Sequence, residues 1–335
     1  MGRSEQQQLN IQTLDDLITS PVTKPDWLVE RLLLKKSANI LIGDSTIGKT
    51  PLALQLALCV AAGVPFFHHL TTQGPVLYLD AETSHSGFVL MLKRLKGFLK
   101  LPDDRTIPFY AYSPNFQPPE PYETVEQMLG RKIEEIKPAL VVIDCLRPWF
   151  PLAEQKGEEV VKMLRWQRHF CQTYGTTFVT IHHRRKNHQG DDKPSLEHGA
   201  MEWLKESAGS FALINQTDTR WGVEVDADTD ELTWSGTVRG FGVIQPFHFQ
   251  REFDEDEGEP IGFKVIADFD RLPELFKQVY TQLPGEFRYK DVLAVFGGKN
   301  KRQAGEFLRT VESVGYLKRV MEDGYNRVRY VKVEP

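Results

Sequence analysis

Gly43-Asp44-Ser45-Thr46-Ile47-Gly48-Lys49-Thr50 satisfies the pattern G-x-x-x-x-G-K-[ST] at every defined position, and its flanks decide the fold. Ala38 to Ile42 before it reads as a buried strand. Leu52 to Ala62 after it reads as an almost continuously apolar helix, with Pro51 tolerated in the first turn. The two glycines let the backbone curl so that successive N–H groups and the helix N-terminus converge on one anion. Lys49 is then placed to reach the β and γ oxygens of a triphosphate, and Thr50 to coordinate Mg²⁺. The expectation is a nucleoside-triphosphate site with ATP and Mg²⁺ as its ligands. A chance glycine turn before a helix would need none of the flanking strand, Lys49 or Thr50.

Outward from this loop, strand and helix patterns alternate, which predicts an α/β fold with a mostly parallel sheet. Gly74 to Glu82 is an apolar strand ending in two carboxylates, Asp80 and Glu82, followed by an amphipathic helix from about Ser86 to Leu99. Leu101 to Pro121, rich in proline and aromatics, reads as a surface loop. A helix over Thr124 to Ile136, a buried strand over Ala139 to Asp144, a helix over Glu158 to Tyr174 and a strand over Thr177 to Ile181 continue the core. His182 to Lys205 is polar and basic. Phe211 to Asn215 opens a run of β-like pieces, with Trp221 to Val225, Leu232 to Ser235, Arg239 to Phe253 and Ile261 to Ile266 forming a β-hairpin extension. Before the loop, Trp27 to Leu34 is an apolar lead-in suited either to cover a nucleotide base or to pack on the sheet edge. Met1 to Pro21 is polar, with one short helix predicted around Leu14 to Ile18.

From Arg271 the character changes. Leu272 to Leu283, Tyr289 to Phe296 and Arg302 to Val314 read as three short helices, the last with Ala304, Phe307, Leu308, Val311 and Val314 as its apolar stripe. Tyr316 to Met321 and Arg327 to Val333 read as a hairpin. Three helices and a hairpin carrying an outer set of basic side chains describe a small winged-helix domain. The expected organisation is an arm over 1–26, a core over 27–270 and a winged-helix-like domain over 271–335.

Composition bounds the class. The chain has 335 residues, 41% hydrophobic and 26% charged, as expected of an ordinary soluble protein with one large domain and one small one. Cys59, Cys145 and Cys171 lie in apolar surroundings without C-x-x-C spacing, so neither a disulfide framework nor a zinc site is suggested, and a reducing, cytoplasmic setting is expected. No stretch reaches about 18 uninterrupted apolar residues. The net charge of −5 is uneven: residues 271–335 hold 13 Lys+Arg against 8 Asp+Glu, of 41 and 46 in the whole chain, so this tail is +5 and the rest −10. An acidic body with a basic tail suits a soluble enzyme with one part drawn to nucleic acid.

A phosphate loop leaves kinases, GTPases and motors open, so the other strand ends must discriminate. Asp144 closes Leu140-Val141-Val142-Ile143 and is placed to hold Mg²⁺ opposite Thr50. Glu82 can polarise a water attacking the γ-phosphate, or else sit as a helix N-terminal acid; Asp80 can cap. His182-His183 closes the following strand. A polar side chain there can hydrogen-bond the γ-phosphate and report its loss, and the metal-ligand alternative lacks a third residue at matching spacing.

Taken in order, Gly43 to Thr50, Val76 to Glu82, Leu140 to Asp144, Ile181 to Lys186 and Gly209 to Asp218 resemble the RecA-like P-loop ATPases, most closely the plasmid RepA-type hexameric replicative helicases. The resemblance spans about Trp27 to Ile266. It implies a RecA-like core, ring assembly with ATP at subunit interfaces, Glu82 as the hydrolytic carboxylate, Asp144 at Mg²⁺, His183 as γ-phosphate sensor and Arg239 as a finger into the neighbouring site. Two positions depart from the family pattern: Thr237 stands where a Lys is common, and Ala208 where an Arg is. The function expected is a single-stranded DNA motor in replication of a mobile element. The alternatives are a recombination or repair ATPase, and a regulatory ATPase with a DNA- or protein-binding winged helix. Arg184, Arg185, Lys186 and Lys193 are the expected grip on the strand, with Trp203 as the one aromatic available for stacking. Lys301, Arg302 and Arg309 are the expected contacts of the terminal domain with duplex DNA or a replication partner.

Overall fold

The computed structural model describes residues 11–333, apart from 23, 105, 115–123, 185–193, 207–210, 257, 267–268, 270–271 and 322–327. In chain order the elements begin with α1 (Leu14–Ile18), which the sequence predicts and which Thr13 caps through a reciprocal bond pair with Asp16. A hairpin of β1 (Trp27–Val29) and β2 (Leu33–Leu34) leads into β3 (Ala38–Gly43) and α2 (Lys49–Ala62). Then come β4 (Val76–Asp80), α3 (His85–Phe98), β5 (Phe109–Tyr112), α4 (Val125–Ile136), β6 (Leu140–Asp144), α5 (Leu146–Trp149), α6 (Gly157–Tyr174), β7 (Thr177–His183), α7 (Ala200–Lys205) and α8 (Phe211–Gln216). Four strands follow: β8 (Thr219–Val225), β9 (Leu232–Val238), β10 (Gly242–Phe253) and β11 (Pro260–Val265).

These strands form one nine-stranded sheet in the order β11-β10-β9-β8-β3-β7-β6-β4-β5. The six from β8 to β5 are mutually parallel, and β9, β10 and β11 continue as an antiparallel meander. The central strands are buried on both faces, which is why they read as unbroken apolar runs. Alternate residues serve opposite faces: Leu41, Tyr78, Val142 and Ile181 pack with α2, whereas Ile42, Leu79, Ile143 and Phe178 pack with α4, α6, α7 and α8. Helix α2 is apolar all round because the meander covers its outer side. The Gln55 side chain fixes that contact, accepting from Phe263 N at 2.8 Å and donating to Phe263 O at 2.9 Å.

Some expectations are corrected. Phe211 to Asn215 is helix, not the first β piece; a short apolar run carries no period that separates the two, and the helix buries Leu213 and Ile214 beside α6. Arg239 lies in the turn between β9 and β10 and not in a strand. The proline-rich segment contains edge strand β5, paired with β4, and the basic segment contains α7. Trp27 does not line the phosphate-loop cleft; it packs on the turn after β9, its ring 5.4 Å from that of Phe241.

A separate apolar core runs from Leu272 to Tyr330. It is built from α9 (Glu274–Gln282), β12 (Glu286–Phe287), α10 (Tyr289–Val295), α11 (Lys301–Ser313), β13 (Leu317–Met321) and β14 (Val328–Lys332), the strands ordered β12-β14-β13. The three helices and the hairpin were legible; the two-residue β12 was not. Helix α11 packs on β10, and a buried ion cluster closes the seam. Arg319 binds Glu30 in the lead-in hairpin and Glu312 in α11, the latter at 2.7 Å, and Arg31 lies 3.6 Å from Glu312.

Candidate functional site

The loop between β3 and α2 is shaped by its glycines. Gly48 holds φ at +88°, where an L side chain is strained, and it forms the N-cap of α2. A Cβ on Gly43 would meet the Val223 carbonyl at 3.0 Å and Ile47 at 3.1 Å. Ile47 is buried beneath the loop, while Ser45 and Thr46 face solvent and Asp44 and Thr50 are half-buried. Lys49 is 4% exposed, and its ammonium donates to the carbonyls of Gly43 at 3.0 Å and Asp44 at 2.6 Å. Burial lowers its pKa from the lysine range, with Asp144 opposing that shift. A buried cation whose hydrogen bonds, among the described residues, go to carbonyl dipoles is suited to receive an anion.

Parallel register brings the acidic residues to the same end. Gly43 on β3 pairs with His183 on β7, and Asp80 on β4 pairs with Asp144 on β6. Asp144 is 1% exposed and accepts a 2.7 Å hydrogen bond from the Tyr78 hydroxyl. Burial pushes its pKa up to about 6, against the hydrogen bonds from Tyr78 and Thr50. Asp80 is also buried, its pKa raised by that burial, and it accepts from the backbone N–H groups of Glu82 and Thr83 and from the Thr83 hydroxyl. Asp80 therefore shapes the turn that presents Glu82. Glu82 itself is exposed; its Oε1 accepts from the Cys145 thiol at 2.9 Å and lies 3.6 Å from His183 Nε2.

The result is one cleft of about 220 Å³, lined by Ser45, Thr46, Gly48 to Pro51, Glu82, Asp144 and His183. Five side chains singled out from sequence, Lys49, Thr50, Glu82, Asp144 and His183, thus share one space. The donor set fits a magnesium nucleotide: backbone N–H groups and a lysine for phosphate oxygens, and a hydroxyl and a carboxylate as hard oxygen ligands for the metal.

Other candidates lie elsewhere. Pairing of Thr219 with Val238, and of Val225 with Leu232, puts Arg239 at the end of the sheet opposite the phosphate loop. Its guanidinium donates to the carbonyls of Asn215 and Thr217. Arg184 is not an open grip: it pairs with Glu206 at 2.6 Å and Glu224 at 3.6 Å and stacks over Trp203. Trp203, expected to be free for stacking, is fully buried and donates its indole N–H to Glu224. Arg185, Lys186 and Lys193 lie outside the described residues. Lys301, Arg302 and Arg309 are exposed on α11. Two residues escaped the sequence reading. Tyr78 was hidden inside an apolar strand run. Arg251 on β10 donates to the Ile47 carbonyl at 3.2 Å while pairing with Asp230, and no local motif marks it.

A family model described as an AAA domain matches residues 4–189, more than half of the chain and the whole of this cleft. No curated protein matches the chain. Among the described residues, no helix is long and apolar enough to cross a membrane.

Proposed function

We propose, from the premise that this chain belongs to the AAA domain family and is a P-loop ATPase, that it is a motor acting on single-stranded DNA as a RepA-type hexameric helicase. The residues divide as the chemistry requires. Lys49 and the loop N–H groups neutralise the phosphates, Thr50 and Asp144 hold Mg²⁺, Glu82 orients the attacking water, and His183 reads the γ-phosphate. Asp80 keeps Glu82 in place through the turn they share.

The ring rests on the resemblance, and one observation bears on how it would work. Arg239 stands at the opposite end of the sheet from its own chain's cleft, so a catalytic role for it requires a second subunit. A closed ring of identical chains supplies each cleft with such an arginine from a neighbour. The basic segment following His183 is the proposed path for the strand. With Arg184 anchored and Trp203 buried, Arg184 serves as the root of that segment, and binding is expected to rest on charge more than on stacking. The C-terminal module is proposed as a winged helix whose Lys301 and Arg302 face a duplex or a replication partner.

The test measures ATP turnover with and without single-stranded DNA, and with Lys49→Ala and Arg239→Ala chains alone and mixed. Stimulation by DNA, with activity recovered on mixing the two inactive chains, supports the motor. Ordinary turnover by Arg239→Ala alone removes the finger. Turnover indifferent to DNA points to the regulatory reading.

A further inference from the structure

We propose that Glu82, Cys145 and His183 form a binding site for a thiophilic divalent cation, with Zn²⁺ as the representative. Each residue stands at the end of one of three adjacent strands: Glu82 beyond β4, Cys145 beyond β6 and His183 at the close of β7. One ligand atom from each, the Glu82 oxygen, the Cys145 sulfur and a His183 nitrogen, lies within 4.8 Å of the other two. Cys145 Sγ is 2.9 Å and His183 Nε2 3.6 Å from Glu82 Oε1. Tetrahedral zinc, with bonds of about 2.0–2.3 Å, sets its ligands roughly 3.3–3.6 Å apart. The sulfur and oxygen need only separate slightly as the metal enters and the thiol proton leaves for solvent.

The ligand types argue against Mg²⁺ and for a softer ion. Sulfur, imidazole nitrogen and one carboxylate oxygen suit zinc, whereas magnesium takes oxygen at near-octahedral geometry. Spacing along the chain conceals the site, because the ligands come from positions 82, 145 and 183 and share no local motif. Three protein ligands leave a fourth position open, as in catalytic zinc sites. Glu82 and His183 line the same cleft as Lys49 and Thr50, so that position is reached from the nucleotide side. His183 Nδ1 is enclosed and, among the described residues, has no hydrogen-bond partner. Such an outer partner commonly contributes 10–100-fold in affinity, so an ion that loads and unloads is expected here, not a permanent structural zinc. Bound there, it would occupy the carboxylate and imidazole proposed to act in hydrolysis. That consequence rests on the ATPase reading, whereas the binding itself does not.

The experiment titrates the full-length, chelator-treated chain with Zn²⁺ alone against a chromophoric chelator, without nucleotide, and with Co²⁺ as a spectroscopic stand-in. One equivalent of Zn²⁺ is expected, and Co²⁺ should give a thiolate-to-metal charge-transfer band. Cys145→Ser should abolish the band and weaken zinc by more than about 100-fold, beyond what an outer partner costs; Cys59→Ser and Cys171→Ser should change neither. Absence of the band in the wild-type chain overturns the proposal even if Cys145→Ser does not fold, and equal zinc binding by a folded Cys145→Ser does the same. Loss of ATP turnover on adding Zn²⁺, restored by chelator, extends the site to regulation. A chain that binds zinc through Cys145 yet shows no ATPase would retire the ATPase reading and leave the metal site standing.

Discussion

Two of the places where the described residues bury charge, the cleft and the seam between the C-terminal module and the sheet, are built oppositely. At the seam, Arg319 and Arg31 meet Glu312 and Glu30, two cations against two carboxylates, closed among themselves. At the cleft, Lys49 donates to carbonyl oxygens and, among the described residues, has no carboxylate within ion-pairing distance, while Asp144 takes its hydrogen bond from neutral Tyr78. A closed cluster joins two parts of a chain. An open one has capacity for ligands of both signs, here a polyphosphate at Lys49 and a cation at Asp144.

The comparison fails at once if the Lys49 ammonium is dispensable. Lys49→Ala is expected to take ATP turnover to background while leaving the fold intact, since the side chain satisfies only carbonyls that water can also satisfy. A steady-state ATPase assay alongside a thermal melt decides it; unchanged turnover would end the account of the cleft.

At the seam the same kind of truncation should unfold and not inactivate. Arg319→Ala leaves Glu312, 3% exposed, and Glu30 facing each other without their shared cation. Breaking a buried ion pair in this way costs about 3–5 kcal/mol. A lowered denaturant midpoint, with ATPase retained below that midpoint, is the expected result. A midpoint within experimental scatter of wild type would mean that α11 and the hairpin are held by their apolar contacts alone.

How much of this was legible follows from where the determinants lie. The grouping of these side chains was readable because the phosphate loop carries a local motif, while Glu82, Asp144 and His183 stand at or just beyond the ends of apolar strands, and a parallel sheet collects such ends at one edge. The seam was not. Glu30, Arg31, Glu312 and Arg319 sit nearly 300 positions apart in sequence, and nothing local marks either pair. Phe211 to Asn215 was misread for want of a period. Arg184 and Trp203 were misread because a basic, aromatic segment looks alike whether its charges face solvent or are paired at its root. The hydrogen bond from the Cys145 thiol to Glu82 was not legible, because the two residues stand beyond different strands and are not neighbours in sequence.

The acid side of the cleft gives a pH signature of its own, at lower pH than that of Glu312 at the seam, whose carboxyl burial pushes up to about 7. Burial lifts Asp144 from the usual 3.8 to about 6, so the folded chain binds the extra proton between those values and the unfolded chain does not. Stability attributable to Asp144 is therefore greatest below pH about 4 and falls as pH rises to about 6, by roughly 3 kcal/mol at 1.36 kcal/mol per unit. Comparing unfolding free energies of wild type and Asp144→Asn across this range, without metal, isolates the effect. Mg²⁺ should cancel it by holding the carboxylate ionised, and a difference between the two proteins that does not vary with pH would sink the assignment.

The smallest effect sharpens the contrast most, because it touches one hydroxyl group. The Tyr78 hydroxyl donates to Asp144 Oδ2 at 2.7 Å inside the sheet, and its ring packs beside Phe88 and Phe109. Tyr78→Phe keeps the ring contacts and removes only the donor. A hydrogen bond to a charged group contributes about 1.5–3 kcal/mol, and its loss disfavours the ionised carboxylate, which is the form that binds metal. The pKa of Asp144 should rise by roughly one to two units. The Mg²⁺ concentration giving half-maximal turnover near neutral pH should rise about tenfold or more, and the acid limb of the pH profile should move toward neutrality. Turnover at saturating Mg²⁺ and high pH should stay near wild type, since Tyr78 is buried, holds the carboxylate and does not line the cleft. If instead turnover falls equally at every Mg²⁺ concentration and pH, the hydroxyl is supporting the loop through the Thr50 carbonyl, 3.4 Å away, and the metal side of the cleft is held by Asp144 without its help.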